Sequence, residues 1–323
     1  MKIFVAGAGG AVGRPLVTLL TARGHDVVAT SRSPERLGAL RAAGAETVRL
    51  DVLDREATIA AVSAAAPEVI VHQATALAGL TNLRSFDRAF AATNRLRAEG
   101  TANLVAAARA AGVRRLVAQS FGGWPYAREG GPVKAEDAPL DPNPPRHQRQ
   151  SLAAIRRLEE LVTGTDGLEG VALRYGGFYG PRTSLSPDGD VTEMVRRRRL
   201  PVIGDGAGVW SFLHVEDAAF ATTAAIESRA TGIFNVADDE PAPMATWLPE
   251  LARILDAPSP RRIPAWLGRV AAGDAVTSMA TRMRGLDSSR AKRELGWKPV
   301  WATWREGFRN AVATPERRLV SSG

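Results

Sequence analysis

The feature that most narrows the possible folds stands at the start of the chain. A β-rich run, Ile3-Phe4-Val5-Ala6, leads directly into Gly7-Ala8-Gly9-Gly10-Ala11-Val12-Gly13, and an amphipathic, alanine-rich stretch follows. Glycines spaced as GxxGxxG between a strand and a helix form a turn suited to phosphate. The first allows the tight turn, the second lets backbone N–H groups approach a pyrophosphate, and the third lets the helix pack closely on the strand. Gly7, Gly9, Gly10, Ala11, Val12 and Gly13 are therefore candidate cofactor-binding residues.

The rest of the first half keeps the same rhythm. Strand-like runs at Asp26-Thr30, Thr47-Leu50, Val69-His72, Arg115-Gln119 and Gly170-Leu173 alternate with helical stretches near Ala11-Arg23, Pro34-Ala43, Arg55-Ala66 and Asn94-Ala111. Such alternation predicts an α/β fold, a doubly wound parallel sheet of the Rossmann type, with ligands beyond the carboxyl ends of the strands. After Arg174, Gly/Pro-punctuated loops predict a smaller C-terminal substrate-binding cap. The expected division is a dinucleotide-binding domain over 1–174 and a mainly cap-forming part over 175–323, with a segment near 211–240 returning to the sheet.

The second strand ends Thr30-Ser31-Arg32 and offers no carboxylate where an NAD-binding unit usually holds the ribose hydroxyls. Arg32 stands there instead, able to pair with a 2′-phosphate, so NADP(H) is favoured over NAD(H). Asp51 and Val52, at the end of the third strand, are placed for the adenine edge. Ser31, His72, Gln73 and Ala74 complete this set.

Composition removes several classes of function. The 323 residues include no cysteine and only four histidines, which argues against thiolate or zinc chemistry. The net charge of +8 comes from arginines spread along the chain, and the dense run Arg196–Arg199 lacks interleaved aromatics, so nucleic acid is not the expected partner. No apolar run approaches the roughly 20 residues a membrane span needs, and the N-terminus lacks a signal-peptide pattern. A cytoplasmic protein with a small-molecule substrate is expected, with a homodimer possible through the helix near Asn94–Ala111.

With these residues in view, the chain resembles the extended short-chain dehydrogenase/reductase family, particularly its epimerase/dehydratase-like members. The resemblance rests on the glycine turn, on Asn94 with Gly100-Thr101-Ala102-Asn103-Leu104, and on Leu173-Arg174-Tyr175-Gly176-Gly177-Phe178-Tyr179-Gly180-Pro181. It extends to Ser211-Phe212-Leu213-His214-Val215-Glu216-Asp217 and to the tail Ala291–Pro299. It implies hydride transfer with a bound nicotinamide, and places Asn94 at the cofactor.

The same resemblance implies a YxxxK pair as proton donor and pKa-lowering cation. This chain contains no YxxxK; alignment puts Ser151 at the tyrosine and Ile155 at the lysine. Ser120 and Tyr126 are then the candidate replacements. Phe121, Tyr175, Phe178, Tyr179 and Trp210 are candidate substrate-wall residues. The expected activity is that of an NAD(P)-dependent oxidoreductase, epimerase or dehydratase with a non-standard proton donor. The rival is a silent NADP(H)-binding regulator.

Overall fold

The computed structural model describes residues 1–77 and 83–312. Seven parallel strands form its central sheet: β1 (Lys2–Ala6), β2 (Asp26–Ser31), β3 (Glu46–Arg49), β4 (Val69–His72), β5 (Arg115–Phe121), β6 (Glu169–Tyr175) and β7 (Gly232–Val236). Their spatial order is β7-β6-β5-β4-β1-β2-β3. The chain works outward from β1 to β3, then returns to the other side of β1 to lay down β4. The order reverses at β1, and a crevice lies beside it at the carboxyl edge of the sheet, lined by residues at the ends of β1, β2 and β4.

Both faces of the sheet are covered. Ile3 and Val5 point into one apolar cluster and Phe4 and Ala6 into the other, the alternation a strand buried on both sides requires. The helix α1 (Gly13–Ala22) presents Gly13, Leu16, Val17 and Leu20 to the first cluster at three- and four-residue spacing. Burying such leucine and valine side chains contributes about 1.5–3 kcal/mol each. α2 (Pro34–Ala42) starts with proline at its first position, where no backbone N–H is needed. In α3 (Arg55–Ala65), the Asp54 carboxylate caps the helix by accepting from Ala57 N at 3.0 Å.

One predicted helix is interrupted. Within 94–111, the α-helix Ala91–Arg95 passes into a π-helical segment, Leu96–Gly100, before α4 (Thr101–Ala111) resumes normal winding. The wider turn changes which side chains face α5 (Arg149–Thr163), the helix packed beside it.

Beyond β6 the chain builds the cap from short strand pairs and helices such as Met244–Ile254, Ala265–Ala272 and Asp274–Arg282. Its centre is aromatic, with Phe212 lying 5.4 Å from Trp247 and 5.1 Å from Phe308 between ring centroids. Before those three helices the chain re-enters the Rossmann layer through α6 (Val215–Glu227) and β7, which pairs with β6 from Gly232↔Val171 to Val236↔Tyr175. The tail is tied to α6 by the Asp217 carboxylate, which accepts from Val300 N at 2.7 Å and Trp301 N at 3.1 Å.

Candidate functional site

The glycine turn lies at the mouth of the crevice. Gly7 has φ +82°, and a Cβ there would sit 2.4 Å from the backbone of Ala74, so the turn and the exit of β4 pack main chain against main chain. At Gly13 a Cβ would meet the Ala8 carbonyl at 2.6 Å, which fixes how closely α1 approaches the turn. Val12 is buried in the core beside it. The cleft has a volume of about 380 Å³ and is lined by Gly7, Gly9 and Gly10, by Thr30 to Ser33 with Arg36, and by Leu50, Asp51, Val52, Gln73, Ala74, Thr75 and Leu96.

Positive charge collects around this turn. The Arg32 guanidinium stands 3.8 Å from the Asp51 carboxylate, but both are about half exposed, so the pair holds neither firmly. Arg36, one turn into α2, extends along the glycines and donates to the Gly9 carbonyl at 3.5 Å. Among the described residues no carboxylate lies within ion-pair distance of it. Arg182, from the loop after Tyr179, has its pKa lowered first by partial burial and then by the nearby charges of Arg14 and Arg36. The Nε of Arg14 is buried without a partner. Arginines from α1, α2 and the cap are thus close enough for their charges to act on one another, an arrangement suited to a phosphate-bearing ligand.

The inner end of the cleft is built differently. His72 is expected from the sequence to line the groove, but its Nε2 is 3.2 Å from the Leu96 carbonyl and its Nδ1 accepts from Ala74 N at 3.3 Å. Burial pushes its pKa down to about 4, so the imidazole is neutral and serves to tie β4 to the π-helical segment. Gln73 does line the cleft: its Nε2 donates to the Tyr175 and Thr222 hydroxyls at 3.3 and 3.4 Å, while its Oε1 has no partner. Asn94, also expected at the cofactor, instead donates through Nδ2 to Ser151 Oγ at 3.0 Å.

Both candidate proton donors are engaged elsewhere. Ser120 is fully buried and donates to the Glu159 carboxylate at 2.7 Å. Glu159 also receives two bonds from Arg174, at 2.8 and 2.7 Å, in a buried bidentate pair. Tyr126, 1% exposed, accepts from Arg174 Nη1 at 2.8 Å and donates to Asn235 Oδ1 at 2.7 Å. Burial raises its pKa above the ordinary phenol value. The geometry corrects the expectation for both residues, because each hydroxyl proton already has a buried acceptor and neither group opens onto the cleft.

At the two positions that the sequence sets against the family's pair, the Ser151 hydroxyl donates to Asp87 Oδ1 at 2.7 Å, and Ile155 packs with Phe86, Trp124, Leu152 and Met283. Two of the expected substrate-wall residues are also corrected. Tyr175 is buried with its hydroxyl 2.7 Å from Thr222 Oγ1, and Tyr179 is buried against Phe308, so both are core. Phe121 and Trp210 are partly buried beside the Ile155 cluster, whereas Phe178 packs on the sheet core next to Tyr175.

Sequence reasoning missed Arg36, Thr30, Ser33, Leu50, Thr75 and Leu96 as lining residues. For Arg36 a signal existed: it falls three residues after Ser33, which precedes Pro34 at the helix start, so it belongs to the first turn facing the glycines. Among the described residues, no group of three metal-ligating side chains occurs and no helix is long and apolar enough to cross a membrane.

Comparison with known proteins agrees with this geometry. The profile of the NAD dependent epimerase/dehydratase family matches residues 3–237. A 3-diazoavenalumate denitrifying reductase from a Streptomyces species is 50% identical over 310 residues, covering 95% of this chain and 99% of that protein. A 2-alkyl-3-oxoalkanoate reductase from Stenotrophomonas maltophilia (strain K279a) is 31% identical, covering 80% of this chain and 77% of that protein. The crystal structure of UDP-glucose 4-epimerase from Thermus thermophilus, in complex with NAD, superposes with a TM-score of 0.73 at 27% identity, covering 97% of this chain and 98% of that one.

Proposed function

We propose that this chain, which belongs to the NAD dependent epimerase/dehydratase family and is an NAD(P)-dependent oxidoreductase of that kind, removes a diazo group reductively from a small aromatic substrate, using NADPH. The observation that carries this reading is the state of the proton-donor positions. Ser151 gives its hydroxyl hydrogen to Asp87, and Ile155 sits among apolar side chains. Reducing a carbonyl requires a hydride at carbon and a proton at oxygen. Reducing an aryl diazonium requires only the hydride: R–N₂⁺ + H⁻ gives R–H + N₂. The hydride supplies the hydrogen and both electrons, the C–N bond breaks, and dinitrogen leaves. A site without a proton donor is adequate for that reaction. The relative at 50% identity, named for denitrifying reduction of a diazo compound, supports the same choice.

The nicotinamide, when bound, supplies the hydride. Gly7, Gly9 and Gly10 are suited to hold its pyrophosphate, and Ser31, Arg32, Ser33 and Arg36 a 2′-phosphate, which favours NADP(H). The unpartnered Gln73 Oε1 offers an acceptor deeper in the cleft. Phe121 and Trp210, beside the Ile155 cluster, provide an apolar wall that excludes water and matches a flat ring.

The test is incubation with an aromatic diazo compound labelled with heavy nitrogen, and with NADPH or NADH. Oxidation of NADPH in step with release of labelled dinitrogen, well above the enzyme-free rate, is the expected result. Efficient reduction of ordinary carbonyl compounds with the diazo compound left intact would overturn the reading.

A further inference from the structure

Buried polar atoms without hydrogen-bond partners occur on and beside the crevice lining: Gln73 Oε1 on a lining residue, and Asn94 Oδ1 and Arg97 Nε on the helical stretch that carries the lining residue Leu96. They belong to two walls, the exit of β4 and the helical stretch that runs through the π-segment. The His72 contact with the Leu96 carbonyl joins these walls directly. Arg97 follows Leu96, itself a cleft residue, and its charge is felt at His72, which precedes Gln73.

Arg97 is only 5% exposed, and among the described residues no carboxylate lies within ion-pair distance of it. Glu159 is the acidic group whose field reaches it, but Glu159 is already saturated by Arg174 and Ser120. Burial pushes the Arg97 pKa down to about 10, so the residue remains a cation with nothing to neutralise it. A guanidinium held inside a protein without an anion is costly to the fold, and such a cost is retained where a ligand supplies the missing charge. The π-helical winding that sets the direction of Arg97 is itself an uncommon feature that concentrates at functional sites.

We propose that Arg97 is a substrate-binding residue that receives an anionic oxygen, a carboxylate or phenolate, carried on the aromatic ring of the substrate. This rests on the aromatic-substrate reading above but not on the diazo chemistry. An oxyanion is favoured over a cofactor hydroxyl because a neutral group would leave the charge uncompensated. The cofactor's own anionic groups meet the separate arginine set at the glycine turn.

The experiment is calorimetric titration of the protein, saturated with NADP⁺, with para-hydroxybenzoate and with a neutral analogue, its methyl ester methyl ether. The wild type should prefer the acid. Arg97→Gln should weaken acid binding roughly 10- to 100-fold and leave the neutral analogue unchanged, while Arg97→Lys should recover part of the loss. NADP⁺ affinity should be the same in all three. Without ligand, Arg97→Met should unfold at the same temperature as the wild type or higher, because an uncompensated buried charge has been removed. Acid binding that is absent in the wild type or unaffected by Arg97→Gln would overturn the proposal. So would an equal loss of NADP⁺ affinity, or a lower unfolding temperature in both the Gln and Met variants. Failure of diazo turnover with acid binding intact would count against the reaction alone.

Discussion

The glycine turn and the carboxyl end of β5 handle their polar groups in opposite ways. At the glycine turn, the charges of Arg14 and Arg36 are both felt at Arg182, none of the three is in an ion pair among the described residues, and Ser31 and Ser33 border the same opening. Around the carboxyl end of β5, Ser120, Tyr126, Glu159, Arg174 and Asn235 are bonded to each other in a buried network with no open position. The arginines near the glycine turn keep donors for a ligand, whereas the β5 groups spend theirs on one another. By that measure this molecule keeps the cofactor-binding half of its site open and has turned the β5 hydroxyls to structural use.

The contrast is most sharply tested by breaking the closed network. Glu159→Gln leaves Arg174 buried without its counter-charge and should cost about 3–5 kcal/mol of stability, read as a shift in the denaturant midpoint. At the open end, Arg36→Ala should leave stability nearly unchanged and weaken NADPH binding by about 1.5–3 kcal/mol while sparing NADH. Loss of affinity for both cofactors alike would remove Arg36 from the 2′-phosphate and blur the distinction.

His72 provides a pH test of the inner wall. Its folded pKa of about 4 lies below the unfolded value of 6.5, so the unfolded chain binds the extra proton between them. The stability it contributes is fully present above pH 6.5 and is lost as pH falls toward 4, by up to about 1.4 kcal/mol per pH unit. Across that window the slope should be steeper in the wild type than in His72→Gln by this amount, since His214, also pushed down to about 4 by burial, contributes equally to both. The smallest expected effect is that of Ser120→Ala, about 0.5–1.5 kcal/mol of stability with kcat unchanged. A large fall in kcat without loss of stability would return Ser120 to the reaction.

The legible parts of this site are those encoded locally. Gly7 to Gly13 can be read because a strand, a turn and a helix adjoin in sequence, and Ser31, Arg32 and Asp51 because strand ends locate themselves once the strands are assigned. Arg36 escapes such a reading because it enters the cleft from the helix after the strand. The roles of Ser120 and Tyr126 are misjudged from sequence because the groups that engage them, Glu159 and Arg174, come from α5 and β6 and meet only in the folded molecule. Arg97 is not legible because a charged residue in a helix is expected at the surface, and here it is buried in the π-helical turn.

The return of the chain as β7 also ties the cap to the sheet. The cap begins after Tyr175, the last residue of β6, and the chain has re-entered the sheet by Val236, which is the register partner of Tyr175. The two strand ends bordering the cap are thus fastened side by side. Both crossings between sheet and cap therefore lie at one edge, and cutting the chain after residue 174 would remove the cap together with the outermost strand of the sheet that carries it.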